Sequence, residues 1–241
     1  MSANLKLLQL NIEGSKHIEL VTPFLIAQQP DAVCLQELNE PNIAHFEAVL
    51  GMRCFYAPMN VEPEGVVHGV GIFSKNASNM RAVRYAGYMR EDNVMADYTT
   101  RETSYYTKSF VLASVDIEKD GELFHIANTH LPATHRAEIT SYQREAMQGL
   151  VELLKKEGEF VLAGDFNALR GQEIFGMLAA QYKDNIPPEI TTSIDGTIHR
   201  AGQLPYMVDG IFSTPGYRVF NVQGHTGISD HWGFTAEISK A

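Results

Sequence analysis

The chain has 241 residues, 44% of them hydrophobic, which is enough for one sizeable core and within the length that a single sandwich or α/β domain reaches. Lys and Arg number 19 against 29 Asp and Glu; the net charge of −10 gives no general pull toward nucleic acid or anionic membranes and argues against wrapping long duplexes. Cys34 and Cys54 lie in strand-like apolar runs and read as buried free thiols, and no segment approaches the roughly 18 apolar residues of a membrane span.

In chain order, LKLLQL (5–10) is a predicted strand. The N-terminal MSANLKLLQL lacks an apolar stretch followed by a small-residue cleavage site, so the chain is placed in the cytoplasm. A helix is predicted around 22–28, with Thr22 as N-cap, Pro23 as first helical residue and Pro30 past its end. Strand DAVCLQ (31–36) follows, then helix PNIAHFEAVLG (41–51) with Gly51 as C-cap. Strands are expected at 53–59, 69–75 and 80–86, and 87–100 reads as a long loop. Strands 105–117 and 122–130 flank the hairpin signal KDG. Within 138–156, Met147, Leu150, Val151 and Leu154 recur at i, i+3, i+4, i+7, an amphipathic helix with Met147 in the core. Strand 159–165, helix 172–180 and strands 206–213, 217–224 and 231–238 complete the chain. No repeat, low-complexity tract or linker divides it, so 1–241 is one domain. Hairpins mixed with helical crossovers predict an α+β sandwich of two mixed, mostly antiparallel sheets with helices outside.

Polar residues able to bind metal or phosphate recur at strand ends. Asn11 ends LKLLQL, Glu37 ends DAVCLQ, His130 ends FHIANT, and Asp165 and Asn167 end FVLAG. Asp209 lies inside apolar YMVDGIF, and Asp230 with His231 opens the last strand. Each alone has a bland reading: a turn residue, a solvated strand-end charge, a surface histidine, or for Asp209 a structural ion pair. Together they gather on one rim of a two-sheet fold. The hard oxygen donors Glu37, Asn11 and Asp230, without thiolates, suit Mg²⁺ or Mn²⁺. Two histidines and two amides remain to grip a phosphate, a set suited to metal-assisted phosphoryl hydrolysis.

LQLN, LQE, NTHL, GDFN, a lone Asp in an apolar strand, and SDH, in this order from residue 11 to 231, resemble the endonuclease/exonuclease/phosphatase superfamily. The resemblance implies a four-layer α/β sandwich. It implies Glu37 as main metal ligand with Asn11 and Asp230, and His231 as general base held by Asp209, since an ordinary imidazole, with a pKa near ~6.5, can deprotonate water at neutral pH. Asp165 and Asn167 would orient water or phosphate, and His130 would contact a phosphate oxygen or assist the leaving group. RETSYY resembles a stretch of pancreatic-type deoxyribonucleases with a phosphate-binding arginine, which makes Arg101 a candidate beside the plain surface reading.

Departures narrow the branch. The inositol-polyphosphate phosphatase Asp-Arg pair and the Arg-x-Asp-Tyr of abasic-site enzymes are both absent around Asp209. NIEG, GDFNALRGQEIF and SDHWGF are similar to tyrosyl-DNA phosphodiesterases, where Tyr206 would serve as the substrate-side aromatic. Arg170 either binds a substrate phosphate or pairs with Glu173 at i, i+3. Loop 87–100 and segment 186–205 are expected to flank the rim and choose the substrate. The expected activity is Mg²⁺-dependent phosphodiester hydrolysis on a nucleic acid, a nucleic-acid end or a small diester. A phosphomonoesterase, a lipid phosphodiesterase and a silent binding module are the alternatives.

Overall fold

The computed structural model describes residues 3–61, 65–87 and 108–241. Two six-stranded sheets pack face to face. In the first, β11 (Tyr217–His225), β12 (Gly233–Lys240), β1 (Leu5–Asn11), β2 (Ala32–Asn39), β4 (Val67–Ser74) and β3 (Arg53–Val61) lie in that order. The second runs β5 (Ala77–Gly87), β6 (Ser109–Lys119), β7 (Glu122–His130), β8 (Val161–Asp165), β10 (Asp209–Ser213) and β9 (Lys183–Asp184). Among the described residues each sheet holds one parallel pair, β1 with β2 and β7 with β8, and the other pairings are antiparallel. A helix bridges each parallel pair, because such strands cannot be joined by a tight turn: α1 (Ile18–Gln28) in the first and α3 (Ser141–Leu154) in the second. With α2 (Ile43–Leu50) and α4 (Glu173–Ala179) they form the outer layers of the four-layer sandwich.

Strand alternation builds three cores from few strands. Leu5 and Leu7 of β1 face the inter-sheet core with Ile126, Ala163 and Ile211. Leu8 and Leu10 face outward under Val21 and Leu25 of α1 and Phe46 of α2. On the second sheet Leu162 and Phe212 pack beneath Met147, Leu150, Val151 and Leu154 of α3 and Phe175 of α4. Each such fully buried side chain contributes roughly 1.5–3 kcal/mol.

Differences from the expected elements are local. Helix α1 begins a turn early, with the amides of Leu20 and Val21 both donating to the His17 carbonyl. Thr22 instead hydrogen-bonds His45 of α2, and Pro23 lies inside the helix. Burial of Val21 and Leu25 one turn apart outweighs the capping signal. Strand β10 begins only at Asp209, because the carbonyls of Tyr206 and Val208 accept from Ser193 and Phe166 rather than from a ladder. Gly51 does cap α2 in the left-handed region, and Asp120-Gly121 does make the hairpin. Cys34 and Cys54 are free and belong to cores on opposite faces of the first sheet. Loop 87–100, apart from Gly87, lies outside the described residues, as does the start of strand 105–117.

Candidate active site

The inward rows of the sheets change character along their length. Leu5 and Leu7 lead to Gln9 and Asn11; Ala32 and Cys34 lead to Gln36; Phe124 and Ile126 lead to Asn128 and His130; Val161 and Ala163 lead to Asp165. Apolar residues give way to amides, and amides to ionisable groups at the rim. The register sets His130 beside Asp165 across the parallel pair, and Asp209 beside Asp165 across the antiparallel one. Glu37 breaks the alternation. The β2–β4 register shifts between Leu35 and Leu38, and Glu37 takes φ 53° there, which returns Leu38 to the outer core and gives Glu37 to the rim cavity.

At the centre, His231 Nδ1 lies 2.8 Å from Asp209 Oδ2, and Gln9 donates to the other Asp209 oxygen at 2.8 Å. His231 Nε2 is 3.9 Å from Asp165 Oδ2. Asn11 donates from one amide nitrogen to Glu37 Oε1 at 3.2 Å and to Asp165 Oδ2 at 3.0 Å. Asn167, at φ 47°, donates its main-chain N–H to Asp165 Oδ1 and its side-chain nitrogen to His130 Nε2, both at 2.9 Å. His130 Nε2 is 3.5 Å from Asp165 and 3.9 Å from Glu37. Behind the GDFN turn, Gln143 of α3 donates to the Asn167 carbonyl at 2.8 Å. The segment 193–195 straps the SDH loop in place. Ser193 accepts from the N–H groups of Trp232, Val208 and Asp209, Ile194 bridges His231, and Asp195 N–H donates to the Asp230 carbonyl.

Burial sets the protonation pattern. It raises Asp165 to about 7, with Asp209 adding to the shift against the attraction of His231. Burial also raises Asp230, which has Glu13 and Glu37 as neighbours. His130 falls to about 4, chiefly from burial, so it is neutral at pH 7 and its Nε2 can accept from Asn167. Burial would lower His231 too, but Asp209 and Asp165 outweigh it and hold its pKa well above the usual range. Surrounded by these carboxylates, His231 favours its protonated form more than an ordinary imidazole does.

Glu37, Asp165, Asp209 and Asp230 crowd two histidines, only one of them a cation, leaving excess negative charge that suits a hard divalent ion. Among the described residues, a tight group of ligand-type atoms, all within 4.8 Å, comes from Asp165, Asp209 and His231. In that group Asp209 is fully buried, with Oδ1 accepting from Gln9 and Oδ2 facing His231 Nδ1. Glu37 opens onto the rim cavity with Oε1 accepting from Asn11, and Asp230 Oδ1 accepts from the Ser229 hydroxyl. Asn11 Oδ1 accepts from Glu13 N–H at 3.1 Å, so Asn11 here orients the two carboxylates.

The site opens into a cavity of about 460 Å³ lined by Glu37, His130, Asp165, Asn167 and His231, with Lys108, Arg136 and Arg200 on its wall. Arg136 and Arg200 form no ion pair among the described residues. His68, whose ring stacks on His130 with centroids 6.4 Å apart, also lines it. None of Lys108, Arg136, Arg200 or His68 carries a motif that sequence reading could find. Two candidates do not join the site. Arg170 pairs with Asp184 at 2.7 Å and donates to the carbonyls of Ile186, Pro187 and Ile190, so it neither meets a phosphate nor pairs with Glu173, which binds Arg144. Tyr206 is half-buried and is not on the cavity wall. Arg101 lies outside the described residues. No described helix is long and apolar enough to cross a membrane.

The model of the Endonuclease/Exonuclease/phosphatase family matches residues 8–231. The Drosophila melanogaster protein Nocturnin is 24% identical over 179 residues, which is 66% of this chain but only 25% of that protein. The human Nocturnin catalytic domain, solved with a bound sulfate anion, superposes with a TM-score of 0.73 at 17% identity, covering 99% of this chain and 94% of that one. ANGEL2, a 2′,3′-cyclic phosphatase solved with adenosine-2′,3′-vanadate, gives 0.69 at 14% identity, with 99% and 96% covered.

Proposed function

Since the chain belongs to the Endonuclease/Exonuclease/phosphatase family, a family of phosphoester hydrolases, we propose that it is a Mg²⁺- or Mn²⁺-dependent phosphodiesterase acting on a nucleic-acid end or a short nucleotide diester. The observation carrying this reading is the convergence of Glu37, His130, Asp165, Asn167 and His231 on one cavity, with Asp209 buried behind His231. Glu37 and Asp230, with Asn11 orienting the carboxylates, would hold the cation. Bound there, it would supply positive charge that polarises a phosphoryl oxygen.

The chain's own groups do the rest. Asp209 fixes His231 through Nδ1, leaving Nε2 toward the cavity to take a proton from water once the excess negative charge is neutralised. Asn167 would donate to a phosphoryl oxygen, and His130, whose Nε2 accepts from the same amide, would orient it. Asp165, protonated toward neutral pH and 3.5 Å from His130, is placed to pass a proton to the leaving oxygen. Lys108, Arg136 and Arg200 give an otherwise acidic chain a cationic wall, which favours a substrate with a phosphate beyond the scissile one. The likeness to ANGEL2, a 2′,3′-cyclic phosphatase solved with adenosine-2′,3′-vanadate, supports a nucleotide substrate.

The test is turnover of bis(p-nitrophenyl) phosphate, p-nitrophenyl phosphate, a labelled single-stranded oligonucleotide and a 5′-phosphotyrosyl oligonucleotide, with Mg²⁺, Mn²⁺ or EDTA. Cation-dependent diester cleavage is expected, falling by about 10³-fold or more in His231→Ala and Glu37→Ala. Phosphate release from the monoester alone would make the protein a phosphomonoesterase instead. Activity that survives His231→Ala would sink the assignment of this cavity.

A further inference from the structure

Three fully buried amides lie directly behind the site: Gln9 on β1, Gln36 on β2 and Asn128 on β7. Each fills the step of its inward row between the apolar residues and the rim. Asn128 donates from Nδ2 to the main-chain carbonyls of Leu35 and Gly71, both at 3.0 Å. Carbonyls only accept, so these bonds determine which end of the Asn128 amide is nitrogen. Its Oδ1 therefore faces Gln36, which must present Nε2, at 2.7 Å. Gln36 Oε1 then faces Gln9, whose Nε2 donates to it at 3.0 Å. The second hydrogen of that nitrogen goes to Asp209 Oδ1 at 2.8 Å. A polarity imposed by two main-chain carbonyls passes through three amides and ends as a donor on the carboxylate that grips His231.

Asn128 has a structural use, since it satisfies the carbonyls of Leu35 and Gly71 where the β2–β4 register shifts. Gln9 has none of that kind: its nitrogen bonds Gln36 and Asp209, and its Oε1 has no partner among the described residues. The chain also crosses the sandwich, from Gln9 and Gln36 on the first sheet to Asn128 and Asp209 on the second.

We propose that Gln9 is a positioning residue, the last member of a one-way amide relay that orients Asp209 so that its other oxygen meets His231 Nδ1. The inference rests on the reading of Asp209 and His231 as the proton-transfer pair. Gln9→Met keeps the side-chain length and removes the donor. On whichever panel ester the wild-type protein cleaves, kcat is expected to fall about 10- to 100-fold with KM little changed, the size seen for groups that orient a working side chain. The same substitution is then made in Asp209→Ala, where it is expected to cost nothing more. An equal fold loss in both backgrounds would overturn the proposal, because Gln9 would then act independently of Asp209. A second readout needs no substrate. The Nδ1–H proton of His231, assigned by its loss in His231→Gln, is followed by ¹H–¹⁵N NMR. It should shift and exchange faster in Gln9→Met, and an unmoved resonance would overturn the relay. Should Gln9→Met fail to fold, Gln36→Met tests the preceding link by the same resonance. Activity retained in His231→Ala would strike the functional reading, whereas the NMR result judges the relay by itself.

Discussion

Glu37 and His130 show how single residues carry the cost of the site. Glu37 holds φ 53°, a conformation that costs a non-glycine residue about 1–2 kcal/mol. Burial alone would raise its pKa, but His130, His68 and the Asn11 hydrogen bond hold the carboxyl below its usual range, so its charge is favoured where it stands. Glu37→Gly relieves the strain, loses that attraction and frees the unfolded chain, so stability should stay within about 1 kcal/mol of wild type while activity is lost. Thermal unfolding beside the ester assay checks this, and a Tm lowered well beyond that margin would show that Glu37 is not strained. His130 makes the opposite trade. Its folded pKa of about 4 lies below the ordinary value of 6.5, so the unfolded chain binds the proton first as pH falls. Its contribution to stability is therefore present above pH 6.5 and is lost on descending toward pH 4. Between pH 7 and 5 the wild type should lose up to about 2 kcal/mol more than His130→Gln, read from denaturant unfolding at the two pH values. Equal losses would mean that His130 titrates normally.

At the scale of strands, the site depends on how closely β7 and β8 approach. Gly164 stands one residue before Asp165, and a Cβ there would meet the Thr129 carbonyl oxygen at 2.5 Å, well inside contact. Gly164→Ala must separate the two strand ends that set His130 beside Asp165. A stability loss of about 1–3 kcal/mol is expected, with a fall in kcat beyond what the loss of folded protein explains. Unchanged kcat per folded molecule would show that the rim tolerates the shift. Strand ends of this kind were readable from sequence because each leaves a short local pattern, an apolar run closed by a polar residue. GDFN, LQE and SDH could therefore be placed on the rim before their neighbours were known. The roles of Arg170, Gln9 and Asn128 were not readable, since each is defined by a partner distant in sequence: Asp184, Asp209 and Gly71. The early start of α1 was hidden for a related reason. Thr22 and Pro23 gave a local start signal, but the buried faces of Val21 and Leu25 set the helix.

Over the whole molecule, a net charge of −10 coexists with an acidic site that has a cationic wall. The sandwich allows this because its interior is apolar at one end and ionisable at the other, so charge repulsion is confined to the rim. The fold class followed from hairpins mixed with crossovers, whereas the cationic wall did not, because Lys108, Arg136 and Arg200 come from three separate segments. Concentrated negative charge should make the folded protein a binder of divalent cations even without substrate. At a concentration 100 times the Kd, Mg²⁺ or Mn²⁺ should add about 2.7 kcal/mol to stability, roughly 5–10 °C in Tm for a chain of this length. EDTA should abolish the increment. Two ligand sets compete for the role, and variants separate them. If Glu37 and Asp230 hold the ion, Glu37→Gln removes the shift and Asp209→Asn largely keeps it. If Asp165, Asp209 and His231 hold it, the pattern inverts. Asp209 is fully buried behind His231, whereas Glu37 opens onto the cavity, so an ion reaches Glu37 without entering the packed interior. The first pattern is therefore the one expected.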